Sequence, residues 1–169
     1  PKTKLIFVSK YEEYIKEILK ELKKEDKVCY ITLNKTYEAI IKYIKKKYNL
    51  ENFYIIDGIS KVIGKTKEYK NCEFVSPVDL KETLDSVKNA IKEDYNIIII
   101  DSISNFMNYG KSINEICSFL KSIKDILGKG RLIVICNRED EEKISGGESC
   151  LSVFNSYGNS SWPMGLAEK

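Results

Sequence analysis

Short apolar runs alternate with longer stretches of helical periodicity over the first 144 residues of the chain. The runs are typical of buried β-strands. They lie at residues 5–8, 28–33, 53–56, 97–100 and 131–136, with a shorter run at 73–75. The four consecutive isoleucines at 97–100 form the most apolar run, so we expect that strand near the centre of a sheet.

Between these strands, apolar residues recur at spacings of three and four, which predicts four amphipathic helices. The first has its apolar face from Tyr11 to Leu22, and the second from Tyr37 to Tyr48. The third is predicted to begin with Ser76 as N-cap and Pro77 as its first residue. The fourth opens with a capping box, Ser112 and Glu115, and ends at Gly128.

Alternating strands and helices predict a three-layer α/β/α fold with a parallel-dominated sheet of about five strands plus a short extra one. Ligands of such sheets bind beyond the carboxyl ends of the strands. The polar residues expected at that edge are Ser9, Lys10, Asn34, Lys35, Thr36, Asp57, Ser60, Asp101, Ser102, Ser104, Asn137 and Arg138.

The amino-acid composition excludes some kinds of catalytic and metal-binding site. The 169 residues are 43% hydrophobic and 31% charged, which suits a globular domain, and the absence of histidine excludes an imidazole base or a histidine-ligated metal. No apolar run approaches the length of a membrane span and no signal peptide opens the sequence, so we expect a soluble cytoplasmic protein with reduced thiols.

Charge is distributed unevenly around a net value of +3. Residues 1–71 carry 17 lysines and 10 acidic residues, whereas residues 72–169 carry a net charge of −4. The lysines at positions 42, 45, 46 and 47 are interpreted as a solvated helix face and not as a nucleic-acid site, because arginine is rare and no aromatic platform interleaves them.

A compositional break lies near Ser145. No isoleucine occurs in residues 145–169, which are instead rich in serine and glycine and hold the single tryptophan, Trp162. We therefore predict a domain at residues 1–144 and a tail at 145–169. The tail is either a linker with an appended or fused peptide, or a native segment that packs loosely.

The run at 97–100 followed by Asp101 and Ser102 resembles the Walker B strand of RecA/KaiC-like ATPases. Residues 28–33 resemble the second strand of that family, residues 132–137 its sensor strand, and residues 53–60, 71–72 and 75–80 an archaeal branch of it. The resemblance covers about residues 3–138. It implies that the strand at 131–136 lies between the first strand and the Asp101 strand.

The same resemblance implies a nucleotide site formed by Ser9, Lys10, Asp101, Ser102 and Asn137, with Asp101 holding Mg²⁺. Two parts of that machinery are absent from the sequence. The expected glycine-rich phosphate loop is replaced by Ser9 to Glu12, which is interpreted as a capping box that starts the first helix directly. The catalytic glutamate expected after the second strand is replaced by Asn34 and Lys35.

A segment around a second lysine, Lys65, resembles part of a phosphate-binding loop. Gly64-Lys65-Thr66 matches the end of the motif, but Ile59 stands where its first glycine belongs, and a strand, not a helix, is predicted next. We therefore do not expect Lys65 to bind phosphate.

These observations favour a RecA/KaiC-like pseudo-ATPase that acts as a regulatory or assembly module, without catalytic residues or cofactors. Its expected partners are another protein or a second copy, with no nucleic acid or membrane. The expected contact residues are Phe106, Met107, Tyr109 and Trp162, the first three being alternatively a lid over the strand ends.

Two alternatives stay open. One is a weak nucleotide-binding ATPase that uses ATP and Mg²⁺ through Asp101 with Lys10 or Lys65. The other is a flavodoxin-like or receiver-like domain, although Ser9 and Lys10 supply neither the acidic pair nor the hydroxyl- or glycine-rich loop that those folds need after their first strand.

Overall fold

The computed structural model describes residues 2–9 and 13–146, which contain a six-stranded sheet. The strands are β1 Lys2–Val8, β2 Val28–Thr32, β3 Phe53–Asp57, β4 Cys72–Phe74, β5 Ile97–Asp101 and β6 Arg131–Asn137. Every neighbouring pair is parallel. The predicted parallel sheet with one short additional strand is therefore confirmed.

The strand order is β1-β6-β5-β2-β3-β4. Strand β6 lies between β1 and β5, as the resemblance implied, with Leu5 opposite Val134 and Val134 opposite Ile100. The two central strands are β5 and β2. Because β1 is an edge strand and does not contact β5 directly, the order is RecA-like.

Within the described residues, six helices cover the two faces of the sheet. They are α1 Ile15–Leu19, α2 Tyr37–Ile44, α3 Leu80–Lys92, α4 Ile103–Asn108, α5 Ile113–Leu127 and α6 Glu141–Ser145, with 3₁₀ turns at Leu50–Asn52 and Arg138–Asp140. Helices α1 and α2 pack on one face in a core that includes Tyr30 and Ile99. Helices α3 to α6 pack on the other, against Cys29 and Ile98. The three-layer prediction is confirmed.

Helix α1 begins later than expected. Its first residue is Ile15 and its N-cap is Tyr14, whose side chain makes no capping hydrogen bond. Ser9 is therefore not the N-cap of this helix, and the expected direct turn from strand to helix is wrong. The rest of the expected capping box, Lys10 to Glu12, lies outside the described residues.

The sequence predicted the start of α5 correctly but not the start of α3. The expected start of α3 at Ser76 and Pro77 is wrong, because the side chain of Asp79 caps the helix by accepting the N–H of Glu82. The capping box of α5 at Ser112 and the helix end at Gly128, with φ of 64°, are confirmed. Helix α4, directly after β5, is not among the four helices predicted from the apolar spacing.

The described chain contains both free and bonded cysteines. Cys29, Cys72 and Cys136 are free thiols, whereas Cys117 is disulfide-bonded, so the expectation of reduced thiols is wrong for Cys117. No helix within residues 2–9 and 13–146 is both long and apolar enough to span a membrane. Ile144, a residue of α6, is buried in the core, whereas residues 147–169 lie outside the described residues, so the boundary at Ser145 stays a prediction.

Candidate functional site

Three polar residues lie side by side at the carboxyl ends of three neighbouring strands. Asp101 ends β5, Thr32 ends β2 and Asp57 ends β3, and the strand register pairs Thr32 with both aspartates. All three are fully buried, with exposed fractions of 0%. Because side chains alternate along a strand, this polar row shares the sheet face that α1 and α2 cover.

Both carboxylate oxygens of Asp101 accept hydrogen bonds from protein side chains. Oδ1 accepts one from the Tyr14 hydroxyl and one of 3.1 Å from Nδ2 of Asn34. Oδ2 accepts a bond of 2.6 Å from the Tyr30 hydroxyl. Asn34 also donates to the Tyr14 hydroxyl over 2.9 Å. We call these four residues the Asp101 cluster.

Burial controls the protonation of this cluster. It raises the pKa of the Asp101 carboxyl, and the hydrogen bonds from Tyr14 and Tyr30 and the charge of Lys35 offset only part of that rise. Burial, followed by the charge of Asp101, raises the pKa of both tyrosine hydroxyls well above their ordinary value. The tyrosines therefore remain protonated donors at neutral pH.

Three different segments supply the donors. Tyr30 precedes Thr32 by two residues on β2, so the two share a face, and Asn34 follows the end of that strand. Tyr14 is the residue immediately before α1 and belongs to the connection from β1. The ammonium of Lys35 lies 5.2 Å from the ring centroid of Tyr14, which holds the ring between a cation and the carboxylate.

The sequence indicated Asp101 and Asn34 at this edge but not the two tyrosines. Tyr14 was interpreted as one residue of an apolar helix face, and Tyr30 as part of an apolar strand. A signal existed, because the hydroxyl of a buried tyrosine needs a partner, and Tyr30 lies one strand away from Asp101 on the same face. Tyr14 carries no comparable local signal.

Asp57 has a structural role. Its Oδ1 accepts the backbone N–H groups of Ile59 and Ser60, each over 2.8 Å. Its Oδ2 accepts the backbone N–H of Tyr37 over 2.8 Å and the Ser60 hydroxyl over 2.5 Å. The carboxylate thus fixes the turn after β3 to the first residue of α2.

Ser102 and Asn137 are also used in local structure. The Ser102 hydroxyl donates to Oδ1 of Asn105 over 2.8 Å at the start of α4. The backbone N–H of Asn137 donates to the Ser104 hydroxyl over 2.9 Å. Within residues 2–9 and 13–146, neither Ser102 nor Asn137 is a side-chain partner of the Asp101 carboxylate.

The two candidate phosphate-binding lysines are not brought to Asp101. Lys10 lies outside the described residues. Lys65 lines a cavity of about 190 Å³ together with Thr36, Ser60 and Tyr69, on the β3 side of the sheet. Asp101 is not part of that lining, so the structure gives no shared site for Asp101 and Lys65.

The expected contact residues are in different environments. Phe106 is a core residue, with an exposed fraction of 0%, and its ring packs edge to face on Phe119 at 5.2 Å. Its expected role as a surface contact is therefore wrong. Met107 and Tyr109 are half-buried at the end of α4, and Trp162 lies outside the described residues.

The chain is similar in fold to a solved KaiC-like protein from the hyperthermophilic archaeon Pyrococcus horikoshii OT3. The similarity has a TM-score of 0.53 at 16% identity and covers 80% of this chain. The chain spans 62% of the length of that structure. No family model matches the sequence, and no curated protein is similar to it. The comparison supports the RecA-like α/β/α fold.

Proposed function

We propose that the chain is a KaiC-like, ATPase-derived domain that has lost ATP hydrolysis and acts as a regulatory or assembly module through protein contacts. The observation that carries the proposal is the Asp101 cluster. Asp101 ends the strand that resembles Walker B, and its carboxylate is bound to Tyr14, Tyr30 and Asn34 inside the domain.

Mg²⁺ does not fit this carboxylate. The ion needs oxygen ligands in octahedral geometry and retains several waters, so it needs a carboxylate oxygen that water reaches. Both oxygens of Asp101 are buried and accept hydrogen bonds. Residues 2–9 and 13–146 also contain no cluster of three or more acidic or cysteine side chains placed to hold a metal.

The phosphates of ATP do not fit the connection from β1 to α1 either. A phosphate loop presents several backbone N–H groups, and its glycines allow close approach. Residues 9–14 contain no glycine, and Tyr14 from this connection donates to Asp101. At the place of the catalytic glutamate, Asn34 has an amide that cannot accept a proton from water.

A surface near the same edge supports a role in protein contacts. Val62, Ile63 and Val78 are large apolar side chains with exposed fractions of 54%, 50% and 49%. An ion pair of 3.0 Å between Lys61 and Glu82 joins the loop that carries Val62 and Ile63 to the first turn of α3, which follows Val78. Contiguous exposed apolar patches are typical of interaction sites, so these three side chains are candidate members of one.

Calorimetric titration of the full chain with Mg·ATP tests this proposal. We expect no saturable heat and no rise in melting temperature, since a ligand present at 100 times its Kd would stabilise the fold by about 2.7 kcal/mol. Stoichiometric binding that disappears in Asp101→Asn and persists in the exposed control Asp125→Asn would instead support the alternative of a weak ATPase.

A further inference from the structure

A basic groove lies between the carboxyl-terminal ends of α1 and α2. It consists of two cavities of about 600 and 260 Å³, and Lys46, Lys47 and Tyr48 line both. The larger cavity also includes Leu22 and Lys24, whereas the smaller includes residues of α1. The shared lining makes the two cavities parts of one surface feature, which we call the lysine groove.

The lysine groove carries a large excess of positive charge. Its exposed lysines without an ion pair in the described chain are Lys16, Lys24, Lys45, Lys46 and Lys47. A further lysine, Lys20, is paired over 2.7 Å with Glu17, the one acidic residue in the described lining. Unpaired lysines this close together repel one another, and an anionic ligand relieves that repulsion.

The floor of the groove is apolar and preformed. Leu19 and Leu22 are buried beneath it, and the half-buried rings of Tyr43 and Tyr48 line it. The Tyr48 hydroxyl donates to the backbone carbonyl of Leu19, which ties the segment after α2 to the last residue of α1. The free-energy cost of ordering the groove when a ligand binds is therefore small.

The groove extends away from the Asp101 cluster, although its smaller cavity reaches Lys16, two residues after Tyr14. Helices α1 and α2 follow parallel strands, so each runs from the carboxyl end of its strand back toward the amino ends. Asp101 lies at the carboxyl edge, and the last residues of α1 and α2 lie toward the opposite edge. The fully buried Asp101 carboxylate is not part of the groove lining, so a ligand of the groove does not contact it there.

We propose that the lysine groove binds an acidic peptide segment with interspersed apolar side chains, contributed by a partner protein. The charges match carboxylates, and the tyrosine and leucine floor matches apolar anchors between them. A nucleic-acid backbone fits less well, because the groove has no guanidinium for bidentate phosphate contact, both arginines being on or after β6. The inference rests on the proposed interaction role and gives it a partner chemistry.

Fluorescence anisotropy with the full chain tests the inference. The probe is a labelled synthetic peptide of alternating acidic residues and leucine, compared with the same peptide carrying glutamine for each acidic residue. We expect saturable binding of the acidic peptide that weakens about tenfold or more between about 0.05 M and 0.5 M salt, and much weaker binding of the neutral peptide.

Matched variants locate the site. Lys46→Gln with Lys47→Gln should weaken acidic-peptide binding about tenfold, equivalent to about 1.4 kcal/mol. Lys81→Gln with Lys121→Gln removes the same charge from exposed positions elsewhere and should change binding less than about twofold.

Three results would overturn the inference: no peptide binding, equal losses in the two double variants, or tighter groove-dependent binding of single-stranded oligouridine. None of them affects the Mg·ATP titration, so this inference and the proposed loss of hydrolysis fail separately.

Discussion

The hydroxyl of Tyr30 on β2 donates a hydrogen bond of 2.6 Å to Oδ2 of Asp101 on the neighbouring strand β5, and both residues are fully buried. This pair joins the two central strands of the sheet at the edge where a RecA-like fold would bind its ligand. Because the Tyr14 hydroxyl donates to Oδ1, both oxygens of the Asp101 carboxylate are hydrogen-bonded inside the domain.

Removal of the Tyr30 hydroxyl tests how much its hydrogen bond to Asp101 contributes to the stability of the fold. Tyr30→Phe should lower the free energy of unfolding by about 1.5–3 kcal/mol, the range for a hydrogen bond to a charged group, because Asp101 stays buried with one donor fewer. Denaturant unfolding measures the loss. Tyr43→Phe is the matched control, since its hydroxyl contacts Glu13 at the surface over 3.3 Å, and it should change stability by less than about 0.5 kcal/mol. Equal effects of the two variants would argue against a special role for Tyr30.

The raised pKa of Asp101 predicts a pH dependence. The folded state holds the Asp101 proton to higher pH than the unfolded state, so this residue's contribution to stability falls as pH rises from about 3.9 through its folded pKa. The unfolding free energy is measured for the wild type and for Asp101→Asn across that window. The wild-type value minus the variant value should decline as pH rises and then level off. A difference that grows with pH would show that the folded pKa is depressed.

The tyrosines predict a separate loss of stability in alkali. Unfolded tyrosines ionise near pH 10, whereas burial and the Asp101 charge raise the pKa of Tyr14 and Tyr30 in the folded state. Stability should therefore fall as pH rises above about 10. Tyr14→Phe with Tyr30→Phe should reduce the steepness of that fall, and Tyr30→Phe alone serves if the double variant does not fold. Tyrosinate absorbance that follows a simple exposed titration, without unfolding, would contradict this expectation.

The helix start at Ser112 gives a test on the opposite face of the sheet. Its hydroxyl accepts the N–H of Glu115 over 3.1 Å, and the Glu115 carboxylate accepts the N–H of Ser112 over 2.7 Å. Ser112→Ala should cost about 0.5–2 kcal/mol in thermal or denaturant unfolding. Ser118→Ala, at an exposed interior position of the same helix, should instead be neutral or slightly stabilising. A neutral Ser112→Ala variant would show that the cap contributes nothing.

The sheet could be predicted from the sequence better than the Asp101 cluster, because the strands have local sequence signals and the cluster depends on residues that are far apart in the chain. The isoleucine run before Asp101 and the apolar runs around it mark buried parallel strands locally, and the capping box of Ser112 involves residues three apart. The bond from Tyr14 to Asp101 joins residues 87 positions apart, and it depends on α1 starting at Ile15. Apolar spacing continues upstream of that start to Tyr11, so periodicity alone placed the helix too early.

The N-terminal boundary of α3 shows the same limit on a smaller scale. Ser76 followed by Pro77 has the residue types of a helix start, and so does Asp79 three residues later. Two local hydrogen bonds accompany the later start: Asp79 accepts the N–H of Glu82 over 3.0 Å, and the Glu82 carboxylate accepts the N–H of Ser76 over 3.4 Å. Local preference permits both starts, and only the folded arrangement distinguishes them.

Steady-state phosphate release from ATP in the presence of Mg²⁺ tests the central claim most directly. The wild type, Asp101→Asn and the surface control Asp125→Asn are measured at equal concentration. Our account predicts that all three release phosphate at the rate of the enzyme-free reaction, because the Asp101 carboxylate is held by Tyr14, Tyr30 and Asn34. Turnover by the wild type and by Asp125→Asn that disappears in Asp101→Asn would contradict it and would make the chain an ATPase.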